Sequence, residues 1–248
     1  MIERTHHGDV AVLRIARGKA NALDIELCNA LTAELEAYRQ SAAKALVVTG
    51  TGKMFSAGVD LVRVSNEGAP YVRAFLPAVN RAFETLFSLL KPVVAAVNGH
   101  AIAGGCIIAC AADYRVMARA PGRIGIPELL VGVPFPVVPL EIMRFAAGAR
   151  AQALINRGAT FDADDALANG LVDVVVEPEK LDDEAMAVAR SLAAIPPAAF
   201  ALTKRQLREP VLERIHVGAA VDAAVQEAWA SPEILGAIRD YVARTLRK

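Results

Sequence analysis

The chain has no excess charge of either sign. Its 248 residues include 27 lysines and arginines and 27 aspartates and glutamates, and neither sign is clustered. A protein that binds nucleic acid neutralises phosphates with a basic face. The charge balance therefore argues against nucleic acid as a partner.

Long hydrophobic runs are also missing. The longest apolar stretch, residues 101–112, contains glycines and is much shorter than the roughly 20 residues that a transmembrane helix needs. Residues 1–7 include acid and histidine where a signal peptide needs a basic start followed by an apolar run. We therefore expect no membrane partner and a cytoplasmic location.

Cysteine is scarce, with only Cys28, Cys106 and Cys110 in the chain. Cys106 and Cys110 are four residues apart and would share one face of a helix. A metal site would need more ligands nearby, and His100 is the only candidate. We interpret the three cysteines as small buried hydrophobic residues and expect no metal site.

Apolar residues make up 54% of the chain, so it has much to bury, either in its own core or against sister subunits. Through the first two-thirds, short runs rich in Val and Ile alternate with helical patterns. The predicted strands are residues 10–15, 45–49, 92–97, 113–117 and 171–176. Such alternation indicates an α/β fold with mostly parallel strand pairing.

Helices are predicted at residues 24–40, at 69–90 and after Gly104. In the first, Leu27, Leu31, Leu35 and Tyr38 share one face, and Asp24 is placed to cap its N-terminus. After about residue 178 the β pattern stops. Helical patterns then cover residues 181–194, 198–207, 217–229 and 232–246, separated by prolines that include Pro210. We therefore predict an α/β core over residues 1–195 and a helical C-terminal region over 196–248.

A glycine-containing turn follows the predicted strand 45–49. It fails the phosphate-loop pattern because Met54 stands where Ser or Thr is needed, and it fails the dinucleotide pattern at Phe55. A nucleophile elbow on Ser56 also fails, because it needs glycine at position 54. What remains is a turn that can present free backbone N–H groups near Gly58 and Val59.

Two further segments are candidates for chemistry. At Gly104 and Gly105, a strand leads into a helix whose first N–H groups lack partners and can attract an oxyanion, although two glycines can equally serve close packing. Glu128 lies in a loop between Pro127 and Leu129. Apolar surroundings would raise the pKa of its carboxyl and make it a proton carrier, whereas a solvated loop glutamate is the alternative.

Together these segments resemble the enoyl-CoA hydratase/isomerase family, also called the crotonase family. The motifs follow the family's order and spacing across nearly the whole chain: Lys19-Ala-Asn-Ala-Leu, Phe55-Ser-Ala-Gly-Val-Asp-Leu, Pro92-Val-Val-Ala-Ala-Val-Asn-Gly-His-Ala-Ile-Ala-Gly-Gly-Cys, Asp113-Tyr-Arg, Pro127-Glu-Leu-Leu-Val-Gly and Gly158-Ala-Thr-Phe. The resemblance implies a crotonase-like spiral of ββα units and a C-terminal helical region that supports a homotrimer or a dimer of trimers.

The resemblance also implies an acyl-CoA substrate, with coenzyme A entering as part of the thioester and with no separate cofactor. By position, the N–H groups of Val59 and Gly104 would form the family's oxyanion hole. The substrate would also meet the segment of Ala57, Asp60 and Leu61, which resembles the lining of the adenine pocket, and that of Lys19, Ala20 and Ala22, which resembles the loop against the pantetheine.

The sequence departs from the family's hydratases at one of their two glutamates. Ile107 stands at that position, so only Glu128 remains as catalytic acid and base. Ile107 and Phe135 would add apolar surface that excludes water. Moving a double bond needs one proton carrier, whereas adding water suits two carboxylates. The pattern therefore favours Δ3,Δ2-enoyl-CoA isomerisation over hydration.

Three alternatives stay open on the sequence. Glu141 or Asp162 could supply a second carboxylate and restore a hydratase. A protein that binds acyl-CoA without catalysis would need the same pocket. A serine hydrolase built on Ser56 and His100 is the enzyme of another class, but it lacks the complete elbow.

Overall fold

The computed structural model describes residues 1–245, which contain ten strands and eleven α-helices. The strands are β1 (Ile2–His7), β2 (Val10–Ile15), β3 (Ala45–Gly50), β4 (Met54–Ser56), β5 (Val93–Val97), β6 (His100–Ile102), β7 (Tyr114–Ala118), β8 (Ile124–Gly125), β9 (Thr160–Phe161) and β10 (Val174–Val176). The helices are α1 (Ile25–Gln40), α2 (Leu61–Phe87), α3 (Gly104–Cys110), α4 (Glu128–Val131), α5 (Val137–Ala147), α6 (Ala151–Arg157), α7 (Ala163–Ala168), α8 (Leu181–Ala193), α9 (Pro197–Val217), α10 (Ala219–Trp229) and α11 (Pro232–Thr245). The predicted C-terminal helix and region extend into residues 246–248, which lie outside the described part.

Two sheets organise the described chain. The larger sheet has the order β1-β2-β3-β5-β7-β10, and every pair in it is parallel except the antiparallel β1 and β2. The smaller sheet has the order β4-β6-β8-β9, with β4, β6 and β8 parallel. The predicted α/β class with parallel sheets and a helical C-terminal region is confirmed.

Helix α1 follows the sequence prediction closely. The Asp24 Oδ1 atom accepts a hydrogen bond from the backbone N–H of Leu27 at 2.7 Å, so Asp24 is the N-cap. Leu31, Leu35 and Tyr38 are buried on the predicted face. Local chemistry at the cap and a regular apolar period therefore suffice to place this helix.

Three predicted boundaries need correction. Helix α2 begins at Leu61 rather than at residue 69, and its first two turns are separated from the rest by Gly68, whose φ of 66° is not helical. Helix α9 runs through Pro210 instead of ending before it. Pro210 and Gln206, four residues earlier, are both exposed, so water can hydrate the carbonyl that proline leaves unpaired. The predicted strand 171–176 shortens to β10.

The C-terminal helices pack onto the same core as the sheets. Val211, Ile215, Leu235 and Ile238 belong to the main hydrophobic cluster, and α8 covers the other face of the larger sheet. Among helices in residues 1–245, none alone has the length and hydropathy to cross a bilayer. The segments Pro178–Ala193 and Pro197–Val217, bent by 102°, reach those values only when counted together.

Candidate active site

A cavity of about 760 Å³ opens at one edge of the smaller sheet. Strands β4, β6 and β8 are parallel, so their carboxyl ends meet at the same edge, where ligands bind in open α/β sheets. Val59 lies three residues beyond the end of β4, Ala103 directly follows β6, and Glu128 lies three residues beyond β8. All three line the cavity. The short strands thus deliver three distant segments of chain to one place.

The backbone around Val59 is oriented by a bridge to Leu23. The N–H of Leu23 donates to the Gly58 carbonyl at 2.8 Å, and the N–H of Asp60 donates to the Leu23 carbonyl at 3.0 Å. Because successive backbone groups in an extended chain point to opposite sides, the Val59 N–H points away from Leu23. Within residues 1–245 it has no hydrogen-bond acceptor. It is therefore a free donor at the cavity wall.

Gly104 is the first residue of α3, so its N–H has no acceptor inside the helix. The preceding Ala103 has a φ of 52° and a ψ of −123°, a strained conformation for a residue with a side chain. A Cβ atom on Gly58 would lie 2.9 Å from the Gly104 nitrogen. The two predicted donor segments are therefore packed directly against each other, and glycine at position 58 permits that approach.

Glu128 is the first residue of the short helix α4 rather than a loop residue. Its Oε2 atom is fully buried and has no hydrogen-bond partner among the described residues. Burial raises the pKa of this carboxyl from its ordinary value of 4.5 to about 8, while a hydrogen bond from its own backbone acts weakly in the opposite direction. The structure therefore places a proton-holding carboxyl on the wall of the cavity that Val59 and Ala103, the residue before Gly104, also line.

The other carboxylates on the cavity wall have partners. Asp60 caps α2 by accepting the Arg63 N–H at 2.9 Å, and Glu67 accepts from Arg63 Nε at 2.6 Å. Arg63 also binds Glu26 through both of its terminal nitrogens. His100 lines the cavity as well, and its Nδ1 accepts a hydrogen bond from a backbone N–H at 3.3 Å.

Neither of the carboxylates considered as a second catalytic acid lines the cavity. Glu141 is buried and ion-paired with Arg144 at 2.8 Å and with Arg214 at 2.6 Å. Asp162 caps α7. Each therefore has a structural partner away from Glu128.

Five of the eight residues predicted to contact substrate line the cavity. Ala20, Ala22, Ala57, Asp60 and Leu61 line the cavity, and the Ala57 N–H donates to the Ala20 carbonyl at 3.0 Å, which joins the two segments.

Three predicted contacts lie elsewhere. Lys19 is exposed on the surface, while Ile107 and Phe135 are buried in the hydrophobic core, and none of the three is among the described residues that line the cavity. Ile107 and Phe135 therefore belong to the packing of the core, and Lys19 belongs to the surface.

Sequence reasoning missed the part of the wall that comes from the C-terminal helices. Trp229 of α10 and Tyr241 of α11 line the cavity beside Val131 and Val133. Trp229 is the only tryptophan of the chain, and this was the one feature of the sequence that could have pointed to a role for α10 in the cavity wall. Nothing local to α10 or α11 indicates that they pack across the cavity.

Ser56 and the cysteines have structural surroundings. The Ser56 hydroxyl is buried, donates to the Asn21 carbonyl at 2.8 Å and accepts from the Gly58 N–H at 3.1 Å, which argues against a nucleophilic serine. All three cysteines are free thiols and buried. Within residues 1–245, no cluster of three His, Cys, Asp or Glu side chains is arranged to hold a metal ion.

The parallel strands, the cavity at their carboxyl ends and the helical C-terminal region place the chain among α/β proteins with the crotonase fold. The family model for enoyl-CoA hydratase/isomerase matches residues 5–241, and the chain belongs to this family. Membership supports an enzyme that acts on CoA thioesters.

Some of the similar proteins are named hydratases and others isomerases. The short-chain-enoyl-CoA hydratase of Clostridium acetobutylicum is 36% identical over 204 residues, which cover 81% of this chain and 78% of the relative. The solved structure of human mitochondrial delta3-delta2-enoyl-CoA isomerase matches with a TM-score of 0.93 and 27% identity, covering 98% of this chain and 97% of that one. A probable enoyl-CoA hydratase of Mycobacterium tuberculosis matches with a TM-score of 0.84 and 32% identity, covering 92% and 98%.

Proposed function

We propose that the protein is a Δ3,Δ2-enoyl-CoA isomerase in which Glu128 is the single proton carrier. The observation that carries this proposal is the buried Glu128 carboxyl, which has a raised pKa and an oxygen with no described partner. The other wall carboxylates, Asp60 and Glu67, are held by hydrogen bonds. One free carboxyl matches a reaction that removes and returns one proton.

The chemistry follows from the geometry. The thioester oxygen would accept hydrogen bonds from the N–H groups of Val59 and Gly104. Glu128 would take a proton from the carbon between the carbonyl and the double bond, which leaves a dienolate with its charge on that oxygen. The same carboxyl would return the proton two carbons further along the acyl group, giving the 2-enoyl thioester. Losing one such oxyanion donor typically costs about 3–4 kcal/mol.

Hydration is the second candidate, because the relative from Clostridium acetobutylicum is named a hydratase. Adding water needs one group to activate the water and another to protonate carbon. Ile107, at the position of the hydratases' other glutamate, is fully buried and apolar, and the remaining wall carboxylates are engaged. Both features favour isomerisation. A catalytically inactive acyl-CoA-binding protein is the remaining alternative, and a free buried carboxyl argues against it.

The test is product analysis after incubation with a 3-enoyl-CoA and, separately, a 2-enoyl-CoA. We expect the 3-enoyl thioester to become the 2-enoyl thioester, with little 3-hydroxyacyl-CoA from either substrate. Rapid hydration of the 2-enoyl-CoA would overturn the isomerase assignment and favour the hydratase. No reaction with either, together with measurable acyl-CoA binding, would favour the inactive binding protein.

The resemblance supports three further proposals. Coenzyme A enters only as part of the substrate, without a separate cofactor; Ala57, Asp60 and Leu61 line the cavity as an adenine-contacting segment would. The protein assembles as a homotrimer or a dimer of trimers, which would cover exposed apolar residues such as Leu207 and Val217. Its location is cytoplasmic.

A further inference from the structure

The direction of the acyl group in the cavity follows from the order of its walls. The oxyanion donors are adjacent to Ala57, while Ala20 and Ala22 lie on the same side. With the thioester oxygen at those donors and its neighbouring carbon at Glu128, the sulfur points back toward the alanines. The acyl group must then continue past Glu128. Val131 and Val133, which follow Glu128 along the chain, also line the cavity, as do Trp229 and Tyr241. The indole of Trp229 contacts Pro134, the residue after Val133.

Trp229 is held in a fixed orientation at that end. Its indole Nε1 donates to the Pro134 carbonyl at 2.8 Å, and the residue is 2% exposed. A second contact holds α10 to the same loop, because Asp222 Oδ1 accepts the Val137 N–H at 2.6 Å. The indole cannot swing aside for a longer ligand without breaking its own hydrogen bond, and α10 cannot move away without breaking the second one.

We infer that Trp229 is the residue that limits the length of the acyl group. This inference rests on the proposed function for the orientation of the thioester. A C-terminal helix that the sequence associates only with subunit assembly thereby determines substrate choice within the same chain. Each added methylene group of the acyl chain is buried, and raises the affinity, until the acyl chain reaches the indole. Further methylene groups do not raise the affinity.

The experiment measures binding of saturated butanoyl-CoA and dodecanoyl-CoA by calorimetry in the full-length protein. In Trp229→Leu, the affinity for dodecanoyl-CoA relative to butanoyl-CoA should rise about tenfold or more, since a few newly buried methylene groups suffice for that factor. Trp229→Phe removes the hydrogen bond but keeps a smaller aromatic wall, so this ratio should rise less than in Trp229→Leu. Val221→Ala is the control, because Val221 is on the same helix and 57% exposed.

Val133→Ala widens the same end of the cavity with a smaller perturbation and should raise the ratio in the same direction. It keeps the test decisive if Trp229→Leu does not fold. The inference would be overturned if the affinity for dodecanoyl-CoA relative to butanoyl-CoA were no higher in Trp229→Leu and Val133→Ala than in Val221→Ala. Because saturated thioesters are not turned over, failure of isomerisation with a changed ratio would refute the proposed reaction and leave the role of Trp229 standing.

Discussion

Asp113 and Glu128 are two partly buried carboxyls with opposite surroundings. Asp113 accepts hydrogen bonds from Lys204 at 2.6 Å, from Arg208 at 2.7 Å and from the Val93 N–H at 2.8 Å. The buried oxygen of Glu128 has no partner among the described residues. The Asp113 charge is neutralised by Lys204 and Arg208 from α9. Glu128 keeps its proton because burial outweighs the single backbone hydrogen bond that favours its charged form.

This difference separates a carboxyl that is held by the fold from one that is free for the proposed reaction. Removing a partner from a buried ion pair leaves an uncompensated charge and destabilises the fold. A buried carboxyl without partners instead lowers stability whenever it ionises, and proteins retain such groups where they serve function. Asp113 should therefore matter for stability and Glu128 for catalysis, and each prediction below tests one side of that contrast.

The largest effect is expected from Glu128→Gln. The amide keeps the shape of the side chain but cannot accept the substrate proton, so kcat should fall about 10²–10⁴-fold. The change in KM should be much smaller, because the thioester oxygen is held by backbone groups. The measurement is steady-state isomerisation of a 3-enoyl-CoA.

Glu67→Gln is the matched control for Glu128→Gln, since Glu67 lines the same cavity but is bound by Arg63. A partly exposed ion pair contributes little, so its activity loss should stay below about tenfold. Equal losses in the two variants would mean that the proton carrier is not Glu128 alone.

Asp113→Asn should have the next largest effect, on stability. It leaves Lys204 and Arg208 buried without their carboxylate, which typically costs about 3–5 kcal/mol of unfolding free energy. Chemical denaturation measures the loss. Asp9→Asn breaks the exposed pair of Asp9 with Lys44 and should change stability by less than ~1 kcal/mol. Similar losses in both variants would contradict an anchoring role for Asp113.

The pH dependence of stability should distinguish Glu128 from an ordinary carboxyl. Its pKa in the folded protein is raised to about 8 from 4.5, so the unfolded chain releases this proton first. Its contribution to stability is complete below pH 4.5 and is lost as the pH rises to about 8. Glu128→Gln lacks this loss. Relative to the wild type, the unfolding free energy of the variant should therefore rise by about 4 kcal/mol between these limits.

The measurement is the difference in unfolding free energy between Glu128→Gln and the wild type across the pH range. The burial of the amide itself is independent of pH and cancels from the trend. A constant difference from pH 4.5 to pH 9 would show that the Glu128 carboxyl is solvated, and the contrast with Asp113 would then disappear.

Much of the fold could be predicted because its signals are local. The residues of β2 and the Asp24 cap lie where the sequence placed them. Strands β4, β6, β8 and β9 were missed because each has only two or three residues, too few for a period to show. Yet three of these strands carry Val59, Ala103 and Glu128 to one cavity, so the sequence motifs were visible although the scaffold that joins them was not.

The burial of Glu128 could not be derived from its neighbours in sequence. Leu129 and Leu130, the apolar residues that follow it, are 42% and 62% exposed. Trp229 and Tyr241, distant in sequence, close the cavity at the side of Val131 and Val133. A raised pKa depends on such long-range packing, which residue spacing within the Glu128 segment does not encode.

The most direct link between the pKa of Glu128 and the reaction is the pH profile of kcat/KM. The base must be ionised in the free enzyme, so kcat/KM should rise about tenfold per pH unit below about pH 8 and level off above it. The profile is measured with a 3-enoyl-CoA, and the residual activity of Glu128→Gln should lack the inflection. An inflection near pH 4–5 would describe a solvated carboxylate rather than a carboxyl whose proton is retained by burial.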